Sequence, residues 1–268
     1  MKETRVRSTN ADTDSASQAR GAFPNGLRQP EGGYRFSLDP LLLAAFVRPK
    51  RNVAATDLGS GCGVASFAAL MLHPTLRSCL GLDIDPAMTE SALDNARMLG
   101  LEDRFEARTM DVRSVRDGLT PESRGLVLAN PPYRSLGTGQ PCREAARTLA
   151  RFEAQGGLED FLAAAFWVLS NRGALGIIFP AARLGELLSA CTAARLAPKR
   201  LRMVHSRLDE SARLVMLEAV KNGGSETVVE PPLELYAGRG EQTTLSAQAL
   251  EFCPFLAANA KARACSID

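Results

Sequence analysis

A glycine-rich turn between a predicted strand and a predicted helix constrains the fold of this chain more than any other feature. The strand covers residues 53–57, the helix covers residues 64–72, and the turn carries Gly59, Gly61 and Gly63. Glycine has no Cβ, so such a turn can be tight and a ligand can approach its main chain. The G-x-G-x-G spacing differs from the G-x-G-x-x-G pattern of dinucleotide-binding proteins. An ordinary turn between strand and helix is the alternative for the glycines alone.

Strands and helices alternate along most of the chain, which predicts an α/β fold with a doubly wound sheet. A short helix at residues 41–47 comes before the first strand. Two late strands follow one another without a helix between them, which favours an antiparallel last strand. The further predicted strands cover 78–83, 104–109, 125–130, 174–179, 199–204 and 213–220, and the further helices cover 88–99, 158–169 and 183–195.

A second motif follows the fourth predicted strand and consists of Asn130, Pro131, Pro132 and Tyr133. An NH2 group on an sp2 carbon is a poor nucleophile because its lone pair is delocalised. The Asn130 side-chain oxygen and the Pro131 carbonyl supply two acceptors for the two N–H bonds, which turns the lone pair toward an electrophile. Two prolines fix φ and hold the loop rigid. Tyr133 offers a face on which a flipped base stacks. A proline turn without a chemical role is the alternative.

The glycine turn and the N-P-P-Y motif together resemble those of S-adenosylmethionine-dependent methyltransferases that modify an NH2 group on an sp2 carbon. The resemblance implies a class I S-adenosylmethionine-dependent methyltransferase fold, which is a Rossmann-like doubly wound sheet with an antiparallel last strand. It also implies S-adenosylmethionine as the cofactor and Asn130, Pro131, Pro132 and Tyr133 as the catalytic residues.

Three acidic residues end successive predicted strands, at Asp57, Asp83 and Asp111. The carboxyl ends of parallel strands share one edge of a sheet, and ligands of open α/β folds bind there. Asp57 is suited to the ammonium of a methionine moiety, directly or through water, Asp83 to a ribose diol, and Asp111 to the adenine amino group. A solvated loop is the alternative for Asp111 alone. The expected cofactor-binding residues are Asp57, Gly59, Gly61, Gly63, Asp83, Asp111 and Asn130.

The N-P-P-Y motif occurs in enzymes that methylate adenine amines, guanine amines or the glutamine side chain of release factors. Only the surrounding sequence can therefore indicate which amine is the acceptor. Release-factor methyltransferases carry a sizeable helical domain before the catalytic one, and little folded chain is predicted before the first strand here. Seven further segments resemble the family of tRNA (valine) adenine-N6-methyltransferases. They cover residues 33–43, 143–147, 153–160, 180–184, 198–205, 212–219 and 231–236.

That resemblance implies methylation of the 6-amino group of an adenosine in tRNA, beside the anticodon. Methylation of a release-factor glutamine or of an RNA guanine amine with the same loop stays open as an alternative. A third alternative is an RNA-binding protein that keeps S-adenosylmethionine only as a structural ligand.

Two groups of basic residues are candidates for contact with the substrate RNA. Clusters of this kind hold phosphates around a pocket, although a charge run is also typical of a solvated face. One group follows the N-P-P-Y motif and the other lies in a late strand. The candidates are Arg134, Arg143, Arg147, Lys199, Arg200 and Arg202.

The amino-acid composition limits the kinds of partner and the cellular compartment that we expect for this protein. The chain has 268 residues and a net charge of +2, so any contact with nucleic acid must come from a local patch. No apolar run approaches the roughly 20 residues of a membrane helix. Six cysteines without a C-x-x-C pair and two histidines predict no metal site and favour the cytoplasm. We expect a flexible N-terminal tail over 1–32, a methyltransferase domain over 33–237 and a C-terminal extension over 238–268.

Overall fold

The computed structural model describes residues 6–30, 37–132 and 156–259. Within these ranges a mixed sheet carries helices on both faces. Its strands are β1 (Ala54–Leu58), β2 (Ser78–Asp83), β3 (Phe105–Thr109), β4 (Arg124–Ala129), β5 (Leu169–Pro180), β6 (Leu196–His205), β7 (Ala212–Lys221), β8 (Val228–Val229) and β9 (Leu233–Glu234). A separate pair is formed by β10 (Tyr236–Ala237) and β11 (Thr244–Leu245).

Among the described α-helices, two precede the first strand of the sheet and one follows the last strand. The helices are α1 (Val6–Ala22), α2 (Asp39–Phe46), α3 (Val64–Leu72), α4 (Pro86–Met98), α5 (Val115–Gly118), α6 (Leu158–Val168), α7 (Leu184–Ala193) and α8 (Ala247–Phe252). Proline follows the first residue of α2 and opens α4, as expected for a residue without an N–H to donate. The Asp85 carboxylate caps α4 by accepting the Ala87 N–H at 2.9 Å. No described helix has both the length and the hydropathy needed to span a membrane.

The order of the strands across the large sheet is β3-β2-β1-β4-β5-β7-β6-β8, with β9 also paired to β6. Strands β1 to β5 run parallel to their neighbours within this group. Strand β7 lies between β5 and β6 and is antiparallel to both. The prediction of a doubly wound sheet with an antiparallel last strand is therefore confirmed.

The core is divided between the two faces of the sheet because successive strand residues point to opposite sides. On one face, α2, α3 and α4 pack through residues such as Phe46 and Phe67. On the other face, α6 and α7 pack through residues such as Phe161 and Leu187. All five residues of β1 are buried, so the strand before the glycine turn lies in the centre of the molecule.

The N-terminal segment differs from the flexible tail that we predicted for residues 1–32. Residues 6–22 form α1, and Phe23 is only 2% exposed, with its ring 4.9 Å from that of Phe255. The Arg20 guanidinium donates to the Leu99 carbonyl at 2.6 Å. The prediction of a flexible tail is therefore corrected for residues 6–30. The segment contains few apolar residues, so its sequence gives no indication that it packs against the rest of the chain. The boundaries at 32/33 and 237/238 stay predictions.

The C-terminal segment packs against the same face as α2 and α3. Ala249, Cys253 and Leu256 are fully buried in the core on that side. In this segment the structure has α8, followed by a 3-10 helix at Pro254–Asn259. The C-terminal segment therefore shares the core of the sheet.

A buried arginine connects α2 to the antiparallel part of the sheet. The Arg200 guanidinium donates to the Phe46 carbonyl at 2.6 Å and to a Glu218 carboxylate oxygen at 2.9 Å. Its other terminal nitrogen lies 3.2 Å from a Glu230 oxygen, and its central carbon lies 3.8 Å from the Phe46 ring centroid. Because every side of the group has a partner, the charge is tolerated in the core.

We expect Arg200→Ala to lower the free energy of unfolding by about 3–5 kcal/mol, since two carboxylates and a carbonyl lose their donor. Arg48 is the matched control because it contacts Glu230 as well, but its side chain is 69% exposed. Arg48→Ala should cost about 0–1 kcal/mol. Urea unfolding followed by circular dichroism measures both, and equal small losses would contradict a stabilising role for Arg200.

Candidate functional site

The ends of β1, β2 and β4 meet at the carboxyl edge of the sheet. Leu58 is paired with Leu82 on one side and with Ala129 on the other. Neighbouring strands lie about 4.8 Å apart. The glycine turn, Asp83 and Asn130, which follow these positions, therefore lie side by side, as the sequence predicts.

The three glycines of the turn have left-handed backbones, with φ of 70° at Gly59, 54° at Gly61 and 93° at Gly63. A Cβ on Gly63 would lie 2.4 Å from the Phe67 ring, and one on Gly59 would lie 3.2 Å from the Phe161 ring. A Cβ on Gly61 would meet no described atom within 4 Å. Gly59 and Gly63 therefore allow close packing, whereas Gly61 faces open space from which a ligand can reach the main chain.

Asp83 joins the exits of β1 and β2. One carboxylate oxygen accepts the Gly61 N–H at 2.8 Å, and the other accepts the Asp85 N–H at 2.9 Å. Burial is the main reason that the pKa of Asp83 is raised above its ordinary value. The carboxylate fixes the turn and keeps further acceptor capacity, because each oxygen has more than one lone pair.

Asp57 lies inside the protein, against the first turn of α3. Its carboxylate accepts the Ser66 hydroxyl at 2.7 Å, and the Cys79 thiol contacts the same hydroxyl at 3.4 Å. Burial raises the pKa of Asp57 to about 7, and the nearby Asp83 charge adds to the shift. Ser66 was not foreseen from the sequence, because a serine on an apolar helix gives no indication of which strand it faces.

Asp111 follows β3 at the same edge as Asp83, whose carbonyl accepts the Met110 N–H at 2.8 Å. The Asp111 carboxylate accepts the Arg113 N–H at 2.8 Å and pairs with the Arg113 guanidinium. These hydrogen bonds to Arg113 lower the pKa of Asp111. Asp111 thus caps the short 3-10 helix Val112–Ser114, and its contact with an adenine amino group stays a prediction.

The acceptor motif is described only in its first part. Asn130 is half-buried at the end of β4, Pro131 is buried and Pro132 is half-buried. The other candidates near this loop lie outside the described residues, and their roles stay predictions. They are Tyr133, Arg134, Arg143 and Arg147.

The basic residues of β6 lie away from this edge. Arg200, Glu218, Gly176, Leu128 and Asp57 are in register across the sheet, so Arg200 lies four strands from β1, about 19 Å. Its guanidinium is enclosed by the carboxylates described above. The prediction that Arg200 contacts RNA is therefore wrong. The partners of Arg200 are distant in sequence, so this pairing could not be foreseen.

Lys199 and Arg202 flank Arg200 on β6. The Lys199 ammonium donates to the Glu226 carbonyl at 3.1 Å, and the Arg202 guanidinium lies 4.9 Å from the Phe252 ring centroid. The Arg202 Nε is buried and has no described hydrogen-bond partner. Burial lowers the pKa of Arg202. Contacts of these two side chains with RNA stay predictions.

Main-chain groups and carboxylates are prominent among the described groups at this edge. Among the described residues, no three His, Cys, Asp or Glu side chains are close enough together to hold a metal ion. The open main chain at Gly61 and the acceptor capacity of Asp83 fit a ligand that carries hydroxyl or ammonium donors. Both features therefore fit the polar part of S-adenosylmethionine.

The strand order and the antiparallel β7, together with a glycine turn after β1, define a class I S-adenosylmethionine-dependent methyltransferase fold. Solved structures agree with this assignment. A predicted O-methyltransferase from Agrobacterium tumefaciens superposes with a TM-score of 0.65 at 21% identity, over 81% of this chain and 96% of that one. A type I restriction-modification methyltransferase subunit from Streptococcus thermophilus superposes with a TM-score of 0.58 at 16% identity, over 81% of this chain and 51% of that one.

Sequence comparisons point to RNA-modifying relatives. Residues 64–150 match the family model of the RMKL-like methyltransferase domain. The tRNA1(Val) (adenine(37)-N6)-methyltransferase of Porphyromonas gingivalis is 31% identical over 58% of this chain and 57% of its own length. The enzyme of the same name from Aeromonas salmonicida is 31% identical over 56% of this chain and 61% of its own length. The chain thus spans less than two thirds of these relatives, and over that part the predicted resemblance is confirmed.

We expect Asp57→Asn to change how stability depends on pH. The unfolded carboxyl loses its proton near pH 4, whereas the folded one keeps it to about pH 7. The unfolded state therefore binds fewer protons in this window, and wild-type stability falls as the pH rises through it. Relative to the asparagine variant, the wild type should lose up to about 4 kcal/mol between pH 4 and pH 8.

Urea unfolding at pH 4, 6 and 8 measures this difference. Asp117→Asn is the matched control because Asp117 is exposed. Parallel pH profiles for the wild type and Asp57→Asn would refute the assignment of the shifted pKa to Asp57.

Proposed function

We propose that this protein is an S-adenosylmethionine-dependent methyltransferase that modifies the 6-amino group of an adenosine in tRNA, beside the anticodon. The observation that carries the proposal is the placement of Asn130, Pro131 and Pro132 at the end of β4, next to the glycine turn of β1. The names of the matching relatives support the choice of adenine and of tRNA. We place this activity in the cytoplasm.

The cofactor is held at the ends of β1, β2 and β3. S-adenosylmethionine supplies an electrophilic methyl group when it is bound. The Asp83 carboxylate accepts hydrogen bonds from the ribose hydroxyls, and Gly61 lets the methionine part reach the main chain. Asp57 holds the first turn of α3 through Ser66. A bound ammonium would favour the ionised form of its carboxyl and be attracted to it, directly or through water. Asp111 accepts from the adenine amino group.

The acceptor adenosine is held by the N-P-P-Y loop. The Asn130 side-chain oxygen and the Pro131 carbonyl accept the two N–H bonds of the amine and direct its lone pair. Tyr133 stacks on the base after it leaves the RNA stack. Bound S-adenosylmethionine would supply the methyl group to the directed lone pair, with loss of its carbon–sulfur bond, and the amine would release one proton to water. Positioning and electrostatic fit supply most of the rate, so no strong base is needed.

Asp83→Ala should weaken the binding of S-adenosylhomocysteine by about 1–3 kcal/mol, because the ribose hydroxyls and the Gly61 N–H lose their acceptor. Isothermal titration calorimetry on the intact chain measures the change. Asp94→Ala is the matched control, since Asp94 contacts only Arg28 and Arg97 on the exposed side of α4 among the described residues. An affinity unchanged in Asp83→Ala would remove Asp83 from the cofactor site.

The acceptor is tested with radiolabelled S-adenosylmethionine, bulk tRNA and a release factor in parallel reactions. We expect label in the RNA, recovered as N6-methyladenosine after nuclease digestion. Asn130→Ala should keep its affinity for S-adenosylhomocysteine and lose about 100-fold or more in turnover, because one preorganised acceptor is missing.

Three outcomes would overturn the proposal. Label on the release factor alone would assign a glutamine acceptor, and label on guanine would assign a guanine amine. Cofactor and tRNA binding without any label would assign an RNA-binding protein.

A further inference from the structure

The amino-terminal edge of the sheet, opposite the candidate site, is lined with arginines. An arginine lies at the first residue of β4, one residue before β2 and before β3, and three residues before β1. Strand pairing places them in the order Arg104, Arg77, Arg51 and Arg124 across the sheet. Neighbouring strands are about 4.8 Å apart, so these four residues form a compact group, which we call the arginine edge.

Part of the arginine edge forms a hollow of ≈ 330 Å³, lined by Arg51, Asn52, Thr75, Arg77 and Arg104 among others. Arg51, Asn52, Thr75 and Arg77 are exposed. The Arg104 guanidinium donates to the Leu76 carbonyl at 2.5 Å and to the Leu70 carbonyl at 3.4 Å. One guanidinium is therefore held in place by the fold, and two others face solvent beside it.

The four guanidinium groups of the arginine edge lack an ion-pair partner in the part of the chain that the structure describes. Among the described residues, no Asp or Glu forms an ion pair with any of the four arginines, although many other surface arginines have such a partner. Burial lowers the pKa of Arg124, and the positive charges of Arg108 and Arg77 add to that effect. Glu106 partly offsets this effect on Arg124 and also pairs with Arg108. An anion in the hollow would be attracted by the exposed charges of Arg51 and Arg77.

The donors of the hollow match a phosphate group. Guanidinium groups bind phosphate oxygens through paired N–H donors, and an asparagine amide and a threonine hydroxyl add further donors. The described lining contains no aromatic side chain on which a base could stack. These features favour a backbone phosphate over a base or a nucleoside.

We propose that the hollow on the arginine edge binds the phosphodiester backbone of RNA, as a second contact remote from the reacting adenosine. The inference deepens the proposed function and rests on it. Strand β1 has five residues, so its length separates the two edges by about 17 Å before the loops are added. An RNA must therefore extend beyond the reactive loop to touch both surfaces, and a short stem-loop reaches only the pocket.

The test compares a double variant with a matched control. Arg51→Ala/Arg77→Ala removes two exposed charges of the hollow and leaves Arg104, which supports the fold. Arg28→Ala/Arg97→Ala removes the same charge from α4 and the segment beside it, where both side chains are exposed at 72% and 66%. Fluorescence anisotropy with full-length tRNA and with a short anticodon stem-loop is measured over a series of NaCl concentrations, with S-adenosylhomocysteine present.

We expect the hollow variant to bind full-length tRNA about tenfold more weakly at low salt, with a salt slope shallower by about 2, since two phosphate contacts are lost. Its affinity for the stem-loop and for S-adenosylhomocysteine should match the wild type. The control variant should match the wild type throughout.

Three results would overturn the inference. The hollow variant could bind tRNA with unchanged affinity and salt slope, or both double variants could weaken to the same extent, which would indicate nonspecific charge. Calorimetry with inorganic phosphate could also show saturable binding that the hollow variant loses while its tRNA affinity stays normal, which would assign the hollow to a free anion.

Methylation of tRNA is followed in the same samples. Failure of the proposed function appears as absence of label in every variant. Failure of this inference appears as normal label with unchanged salt dependence.

Discussion

The hydrogen bond from the Gly61 N–H to the Asp83 carboxylate fixes the geometry on which the rest of the site depends. Gly61 belongs to the turn after β1 and Asp83 to the end of β2, so the bond joins two crossovers at one edge of the sheet. The same carboxylate accepts the Asp85 N–H and thereby sets the start of α4. A shift of Asp83 would therefore move the glycine turn and the helix together.

The parallel part of the sheet is polarised along its strands. Carboxylates follow the strands at one edge, whereas arginines precede them at the other. Burial raises the pKa of Asp57, and the nearby Asp83 charge at the glycine turn adds to the shift. The fold thus keeps negative charge where a cationic ligand fits and positive charge where a phosphate fits, although the net charge is only +2.

Local sequence patterns predicted the parts of the structure that local rules control. The glycine turn, the strand-end acids and the antiparallel β7 follow from residue spacing and strand succession. The burial of Arg200 could not be predicted, because it depends on Phe46 and Glu218, which the fold brings to β6. Helix α1 was missed for a similar reason, since Phe23 packs on Phe255 from a distant part of the chain.

The contact between the two terminal segments has a consequence for the order of events during synthesis. Besides the Phe23 and Phe255 rings, the Asn25 side chain donates to the Ala258 carbonyl at 2.8 Å, across a separation of 233 residues. At roughly 5–20 residues per second, a ribosome needs about 10–50 s to make that length of chain. During this interval Phe23 lacks its aromatic partner, so the contact between the two terminal segments forms only after translation has passed α8.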